Sequence, residues 1–504
     1  MAVPASETPG ASIVGPYDSL REFVHALEAR GKLLRIPEMD QDRFEATGFA
    51  YRLIERMGYD KAPAFLIEKI KIDGQWMDGP VLGNLYGGWD DEGMPFGVEP
   101  LGDDPPTLFR AVLEHMQTRM DDSGAWNTIP PVELEDPASA PCKEVILTGN
   151  DVDVEQFPWL RVNPADAGRY INMGNVILQD AELGTNVGTY RCQVKGKAKI
   201  GMNPEPGQHG WRLLMGMKQR GDTSAPVAVA LGTDPVIFSA SSTKMAGFQE
   251  DEMALAGGLR GKPVELVRCE TNDILVPAHA EMIIEGTIPL DQREDEGPYG
   301  EMYGYLGPAK PDNFFINVTA ITHRRNPWFV NSFTGITADM PKGPQTAGEF
   351  KRYKRLIPNL VAIYSLRGAS GVVALSIDKR FPGEGMAAGQ SVVANTALNK
   401  VVIVVDKDID ILNPLALLHA IGARWQPGTA SLMIPQTQMM MPDPSRPTTG
   451  ISSKFVIDAT RQLPAEGGPK TWPAVSKVLL EQGSPETFDL VDGKWDEYWR
   501  GSEK

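Results

Sequence analysis

A change of pattern near the middle of the chain limits most strongly what it can fold into. From about residue 143 to residue 325, apolar and polar residues alternate in short runs separated by turn residues, as in NVILQD, VELVRCE and EMIIEGTI. Alternation with a period of two is typical of strands that bury one face. The pattern predicts an antiparallel sheet or barrel here, interrupted by helices at about 209–220 and 251–259.

The segments on either side have a different pattern. Near the start, Leu20, Phe23, Val24 and Leu27 recur at helical spacing, and further helix and strand patterns follow up to about residue 130. After residue 345, helical and strand patterns alternate, which is typical of α/β layering. We therefore expect a multidomain fold of mixed α+β and α/β class. Its parts are an N-terminal α/β domain at 17–130, a central β domain at 131–325, a linker helix region at 326–358 and a C-terminal α/β domain at 359–504.

Composition restricts the classes of function. The 504 residues carry 49 Lys and Arg against 66 Asp and Glu, a formal net charge of −17, which disfavours nucleic acids and anionic membranes as partners. Only three cysteines occur, and they are scattered, which favours a reducing cytoplasm. The first 16 residues lack the regions of a signal peptide and are expected to be disordered. No apolar run approaches the about 18 residues of a membrane span.

Few motifs in the chain point to chemistry. Neither G-x-G-x-x-G nor G-x-x-x-x-G-K-[ST] occurs, so dinucleotide and P-loop sites have no support. No G-x-S-x-G or H-E-x-x-H motif occurs either. Among six histidines, His209 differs from the rest because it follows the irregular loop MNPEPGQ and opens a predicted helix. A side chain in that position can point into a site.

The densest acidic cluster is the run DQREDEGPYGE at 291–301. In an unbroken strand, Glu296 and Glu301 would face opposite sides, but the Gly297-Pro298 turn between them removes that constraint. Two carboxylates in one cavity can hold different pKa values and act as acid and base. The alternative is a solvated charged turn. Arg191, expected within a strand, is likewise either a surface residue or a buried partner for a carboxylate.

Five features follow one another along the chain: TNVGTYR, the histidine on the next loop, an acidic helix before VELVRCETNDILVPAHAEMIIEGT, the run EGPYGEM and the C-terminal GISSKFVIDAT. Taken together and in this order, they resemble the UbiD family of prenylated-FMN-dependent decarboxylases. The resemblance covers about residues 20–490. It implies that the central domain is a split β-barrel of the flavin-reductase type and that the C-terminal domain serves in oligomerisation, giving a homodimer or homohexamer.

The resemblance also implies roles for individual residues. The catalytic set is a Glu-Arg-Glu network in which Glu301 donates a proton, and it falls on Arg191, Glu296 and Glu301. A divalent metal, Mn²⁺ or Mg²⁺, would be held by Asn186, His209 and Glu252. The expected cofactor-binding residues are these three with Thr189, Arg191, Gln208 and the phosphate-contacting Lys454, and Met302 is expected to border the substrate pocket. A K⁺ ion is implied as well, with Ser241, Ser242 and Met245 nearby in sequence but no ligand assigned.

The implied reaction is the reversible, non-oxidative decarboxylation of an aromatic, heteroaromatic or α,β-unsaturated carboxylic acid, with CO₂ as the other small-molecule partner. Loss of CO₂ from an sp² carbon leaves an unstable carbanion, so an electron sink such as prenylated FMN is required. A flavin prenyltransferase would supply that cofactor. The alternatives are a flavin reductase-like oxidoreductase, which would not need the Glu-Arg-Glu network, and a non-catalytic cofactor-binding subunit, which would not need Glu301.

Overall fold

The computed structural model describes residues 14–99, 102, 104–439, 443–446 and 450–500. Most of the segment expected to be disordered, residues 1–13, lies outside the described residues. Within the described part, the helices are α1 Leu20–Ala29, α2 Glu45–Met57, α3 Trp89–Gly93, α4 Pro105–Gln117, α5 His209–Arg220, α6 Pro235–Ser242, α7 Glu252–Arg260, α8 Gly343–Lys354, α9 Glu384–Val393, α10 Pro414–Arg424, α11 Ser476–Gly483, α12 Thr487–Asp492 and α13 Trp495–Arg500. None of them is long and apolar enough to cross a bilayer.

The strands of the described residues run from β1 to β24. They are β1 Leu33–Asp40, β2 Ala64–Ile72, β3 Gln75–Gly83, β4 Val132–Glu133, β5 Val145–Thr148, β6 Tyr170–Ile171, β7 Asn175–Asp180, β8 Gly184–Thr189, β9 Cys192–Gly196, β10 Lys199–Met202, β11 Ser224–Leu231, β12 Glu265–Arg268, β13 Leu275–Pro277, β14 Met282–Pro289, β15 Glu294–Glu296, β16 Tyr299–Gly300, β17 Leu306–Gly307, β18 Lys310–His323, β19 Phe329–Val330, β20 Leu360–Ser365, β21 Val372–Ile377, β22 Val401–Asp406, β23 Ser431–Gln438 and β24 Ile451–Asp458.

The N-terminal part is a four-stranded sheet in the order β1-β2-β3-β19 with helices packed on it. Helix α1 begins after Ser19, whose hydroxyl accepts a hydrogen bond from the backbone N–H of Glu22. This side-chain oxygen satisfies one of the free N–H groups at the helix start. The last strand of the sheet, β19, pairs in parallel with β3 although it follows the whole central domain in sequence. The chain thus returns to its first domain before it enters the C-terminal one.

The central part is a large, mostly antiparallel sheet in the order β6-β9-β10-β18-β14-β11-β7-β8. Its longest strand, β18, also pairs with β5 and β15. The two predicted interrupting helices are confirmed as α5 and α7. In the described residues β6 and β8 are the free ends of this path, so the structure has no closed barrel there, and the split-barrel type remains a prediction.

The C-terminal part is a five-stranded sheet in the order β20-β21-β22-β24-β23. The three central strands run parallel, and both edge strands are antiparallel to their neighbours. The parallel strands read as continuous apolar runs, such as residues 401–405 of β22, because both faces of such a sheet are covered. Together the three parts form the multidomain mixed α/β fold that the sequence predicts.

The three parts meet around the start of helix α8. The side chain of Glu92, from the N-terminal part, accepts hydrogen bonds from the backbone N–H groups of Lys342 and Gly343 at 2.8 and 2.7 Å. The same carboxylate forms an ion pair with Arg367 of the C-terminal part. A carboxylate is favourable at a helix N-terminus, where backbone N–H groups lack partners. One fully buried glutamate thus contacts both the start of α8 and the C-terminal part.

Candidate active site

Two adjoining cavities lie where the central sheet, the start of α8 and the C-terminal part meet. One, of about 330 Å³, has Arg191 in its wall and is called here the Arg191 cavity. The other, of about 300 Å³, has Glu252 in its wall and is called the Glu252 cavity. Their walls share Thr189, Tyr190, Gln208, Met302, Tyr303, Met340, Lys342, Leu366 and Ser370. The two volumes thus form a continuous cleft large enough for a cofactor and a small ligand.

Arg191 is the centre of an ion-pair network in the first cavity. Its Nε and Nη2 donate to the two carboxylate oxygens of Glu296 at 2.9 and 2.8 Å. Its Nη1 donates to Oε1 of Glu301. The guanidinium also lies over the ring of Tyr299, 4.7 Å from the ring centre. The bidentate contact and the aromatic face hold the planar side chain in one orientation.

The local backbone brings the two glutamates to one guanidinium. Strand β15 ends at Glu296, and Gly297 follows with a φ of 80°, in the left-handed region that glycine tolerates. After the turn, Glu301 is fixed by a hydrogen bond from its backbone N–H to the carbonyl of Tyr305. Arg191 itself lies in the break between β8 and β9, so the expectation that it sits inside a strand is wrong. Because Arg191 belongs to neither strand, the up-and-down alternation of side chains along β8 and β9 does not set the direction of its side chain.

Burial makes this network strongly coupled. The side chain of Glu296 is 1% exposed, that of Arg191 10% and that of Glu301 14%. Burial acts to lower the pKa of Arg191, but the contacts with Glu296 and Glu301 outweigh it and raise that pKa. The arginine therefore keeps its charge. Two carboxylates therefore share one permanent cation.

The second cavity has a buried carboxylate without a cationic side chain in contact among the described residues. Glu252 accepts hydrogen bonds at 3.0 Å from the side-chain Nδ2 of Asn186 and from the backbone N–H of Val187. Burial raises the pKa of Glu252 to about 7. Asn186 Oδ1 in turn accepts from the hydroxyl of Tyr190 at 3.0 Å. Asn186 and Glu252 are thus brought into direct contact.

His209 is the first residue of α5 and lines the same cavity. Burial lowers its pKa, so the ring is neutral at pH 7 and able to ligate a metal. Among the described residues, no three His, Cys, Asp or Glu side chains cluster as a metal site. The predicted donors in the wall of this cavity are the carboxylate of Glu252, the amide of Asn186 and the imidazole of His209. This donor set fits a hard divalent cation that completes its coordination with ligand oxygens.

The remaining expected residues divide into two groups. Thr189, Gln208 and Met302 lie in the walls of both cavities, and Thr189 Oγ1 is 3.3 Å from Oγ of Ser241. Lys454 lines neither cavity. It is buried on β24, where its ammonium donates to the carbonyls of Val393 and Thr396. The structure therefore does not bring Lys454 to the other cofactor-binding candidates.

The residues near the implied K⁺ ion are also placed by the structure. Ser241 and Ser242 lie in the wall of the Glu252 cavity. Ser241 Oγ donates to the carbonyl of Phe238 at 2.9 Å, and Met245 packs against a buried apolar cluster that includes Ile237 and Met253. These contacts single out no set of potassium ligands.

Several cavity residues had no signal in the sequence. Lys342 lies in the walls of both cavities, and Arg367 and Asp339 line the Arg191 cavity. Asp339 is partly buried and accepts hydrogen bonds from the hydroxyls of Ser332 and Thr337, and loss of hydration raises its pKa to about 6. These residues follow the central domain, and only the return of the chain through β19 brings them to the cleft. One local signal is present: the sequence Lys342-Gly343-Pro344 is typical of a helix start, because proline is favourable in the first turn.

The family models match the chain in three consecutive pieces. They are those of the 3-octaprenyl-4-hydroxybenzoate carboxy-lyase N-terminal domain at 24–114, Rift-related domain at 134–337 and C-terminal domain at 342–459. A phenolic acid decarboxylase of Bacillus subtilis is 29% identical over 492 residues, covering 94% of this chain and 99% of the relative. An Archaeoglobus fulgidus protein is 31% identical over 493 residues, covering 95% and 98%. The chain belongs to the UbiD family.

Solved structures agree with this assignment. The UbiD-class enzyme HmfF from Pelotomaculum thermopropionicum, in complex with FMN, has a TM-score of 0.77 at 29% identity and covers 91% of this chain and 98% of its own. An evolved dimeric form of HmfF, in complex with prFMN, has a TM-score of 0.75 at 28% identity, with 92% and 98% covered. Vanillic acid decarboxylase of Sedimentibacter hydroxybenzoicus, in a closed form, has 0.77 at 27%, with 92% and 98% covered. The chain is an enzyme of the carboxy-lyase class.

Proposed function

We propose that this enzyme catalyses the reversible, non-oxidative decarboxylation of an aromatic, heteroaromatic or α,β-unsaturated carboxylic acid with prenylated FMN. The observation that carries the proposal is the position of Arg191 between Glu296 and Glu301 in the wall of a cavity. Redox chemistry on a flavin needs no such pair of carboxylates. The relatives named phenolic acid and vanillic acid decarboxylase favour an aromatic acid as substrate.

In this proposal the Glu252 cavity holds the cofactor phosphate. The chain has a net charge of −17, so a phosphate dianion requires local positive charge. Asn186, His209 and Glu252 would hold a divalent ion, Mn²⁺ or Mg²⁺, that neutralises it. Lys342, which lines both cavities, is a cationic side chain beside the same volume. Thr189 and Gln208 border the region between phosphate and substrate.

The Arg191 cavity would then hold the substrate. Arg191 keeps its charge, and its N–H groups can donate hydrogen bonds to the substrate carboxylate while it orients Glu301. The cofactor, when bound, supplies the electron sink that makes loss of CO₂ from an sp² carbon possible. Glu301 delivers a proton to the carbon that carried the carboxylate, and Glu296 stays paired with Arg191. Met302, next to Glu301, borders the bound ring.

The test is turnover of the holoenzyme against a panel of carboxylic acids. Protein made together with a flavin prenyltransferase should release CO₂ from at least one aromatic or acrylic acid. Protein made without the prenyltransferase should contain FMN at most and be inactive. Release of CO₂ at the full rate with plain FMN would refute the cofactor, and oxidation or reduction of the substrate without CO₂ release would favour a flavin reductase.

A further inference from the structure

A second ion pair lies beside the Glu-Arg-Glu network and is not used in the proposed reaction. Lys310, the first residue of β18, pairs with the carboxylate of Glu205, which lies in the loop before α5. Their side chains are 20% and 18% exposed. Glu205 is in the wall of the Arg191 cavity. In the ladder between β15 and β18, the backbone partner of Lys310 is Glu296 itself.

The buried amide of Asn203 connects this pair to the catalytic arginine. One atom of the amide lies 3.1 Å from Nη2 of Arg191 and 3.3 Å from Nζ of Lys310. Both neighbours are N–H donors, so the amide atom between them is the oxygen. Two cations therefore share one acceptor, which places the ammonium within about 6 Å of the guanidinium, the range in which charges shift one another's pKa.

The five charged groups do not balance when all are ionised. Three carboxylates, those of Glu205, Glu296 and Glu301, face two cations, Arg191 and Lys310. One added proton makes the cluster neutral, and Glu301 is the carboxylate that must hold a proton to act as an acid. Burial and the charge of Arg191 lower the pKa of Lys310 to about 7, so its charge depends on its surroundings.

The same pair also fixes the loop that leads to the cofactor side. The backbone N–H of Glu205 donates to the side-chain oxygen of Gln208 at 2.7 Å, and the N–H of Gln208 donates back to the carbonyl of Glu205 at 3.0 Å. This closed turn immediately precedes His209. A side chain that anchors Glu205 therefore anchors Gln208 as well.

We propose that Lys310 and Glu205 are positioning residues of the decarboxylase, a charge pair that sets the proton occupancy of Glu301 through Arg191 and Asn203. The inference rests on the proposed function, because it assumes that Glu301 is the proton donor. The charged groups that face Lys310 come from the loop before α5, from the break between β8 and β9 and, across the ladder, from β15. They are Glu205, Arg191 and Glu296.

The test compares pH profiles of kcat for four variants. Lys310→Met removes a positive charge, favours the protonated carboxylates and should move the profile up by about one pH unit. Lys310→Arg keeps the charge and should restore the wild-type profile. The double variant Lys310→Met/Glu205→Gln removes both charges and should also return close to it. Glu205→Gln alone removes a negative charge and should move the profile down. Where Lys310 releases its proton in response, the net charge of the cluster stays the same and the profile stays in place.

A purely structural role would lower activity without these signed shifts. The inference is overturned if Lys310→Met leaves the profile in place, or if the double variant moves it as far as Lys310→Met does. A second readout uses the cofactor-free chain with ¹³C-labelled lysine. The lysine resonance that is absent from Lys310→Met should titrate near pH 7 in NMR, well below the solvent-exposed lysines, and it should titrate lower still in Glu205→Gln. Titration of that resonance with the other lysines would also overturn the inference.

The two proposals can fail separately. Suppose that the loaded wild-type enzyme releases CO₂ but that Lys310→Met and the double variant have the same pH profile as the wild type. The pair is then structural, and the proposed function is unaffected. If no acid is decarboxylated by the loaded wild type, the proposed function is wrong. In that case the NMR titration still decides whether Lys310 and Glu205 form a coupled pair.

Discussion

The substitution Glu301→Gln separates proton delivery from binding. Glu301 contacts Arg191 through a single oxygen, Oε1, and a glutamine retains an acceptor oxygen at that position. The variant should therefore fold, keep its cofactor and bind substrate. A positioned acid contributes about 10²–10⁴-fold to turnover. That loss corresponds to about 2.7–5.4 kcal/mol of activation free energy, at about 1.36 kcal/mol per factor of ten.

The assay has two parts, CO₂ release and deuterium incorporation at the product carbon in heavy water. Wild type should catalyse both, and Glu301→Gln should be slowed in both by the same factor. Asp295→Asn is the matched control, because Asp295 is an exposed carboxylate one residue before Glu296 and lines neither cavity. Decarboxylation and exchange by Glu301→Gln at the wild-type rate would show that Glu301 is not the proton donor, and Glu296 or a bound water would then be the candidate.

Three further predictions follow from other parts of the structure. Alanine at Asn186 or His209, or glutamine at Glu252, should each lower the amount of flavin that stays bound through desalting, and chelation should do the same; full retention in all three would contradict the metal assignment. Asp339 has a pKa of about 6, against about 3.8 unfolded, so the folded state keeps its proton longer and the chain should lose about 2 kcal/mol of stability as pH rises from 4 to 6. Urea unfolding should show this slope in wild type but not in Asp339→Asn. Helices α11, α12 and α13 expose four large apolar side chains, those of Leu479, Leu490, Trp495 and Tyr498. Exposed apolar surface of this kind marks an interface, so light scattering at micromolar concentration should give the mass of a dimer or a larger oligomer. The mass of a monomer would contradict this prediction.

Several local elements could be predicted from the periodicity of the sequence alone. Helix α5 spans the predicted residues 209–220, and β22 is the apolar run at 401–405 with one residue added. These features depend on periodicity and on neighbours within one turn or one strand, which the sequence displays directly. The turn at Gly297-Pro298 also indicated that Glu296 and Glu301 could share a cavity, because its effect is local.

The tertiary structure alone decided which groups meet in the cleft. Arg191 and Glu296 are 105 positions apart, and so are Glu205 and Lys310, and nothing in the periodicity of either segment selects its partner. The return of the chain through β19 brings Lys342 and Asp339 to the cavities, whereas Lys454 is buried on β24 away from them. Such contacts are selected by the burial and pairing of charges across the whole fold, and a buried charge is stable only beside its partner. The chemistry of the site therefore depends on how the domains pack together. The local sequence pattern of each domain does not specify that packing.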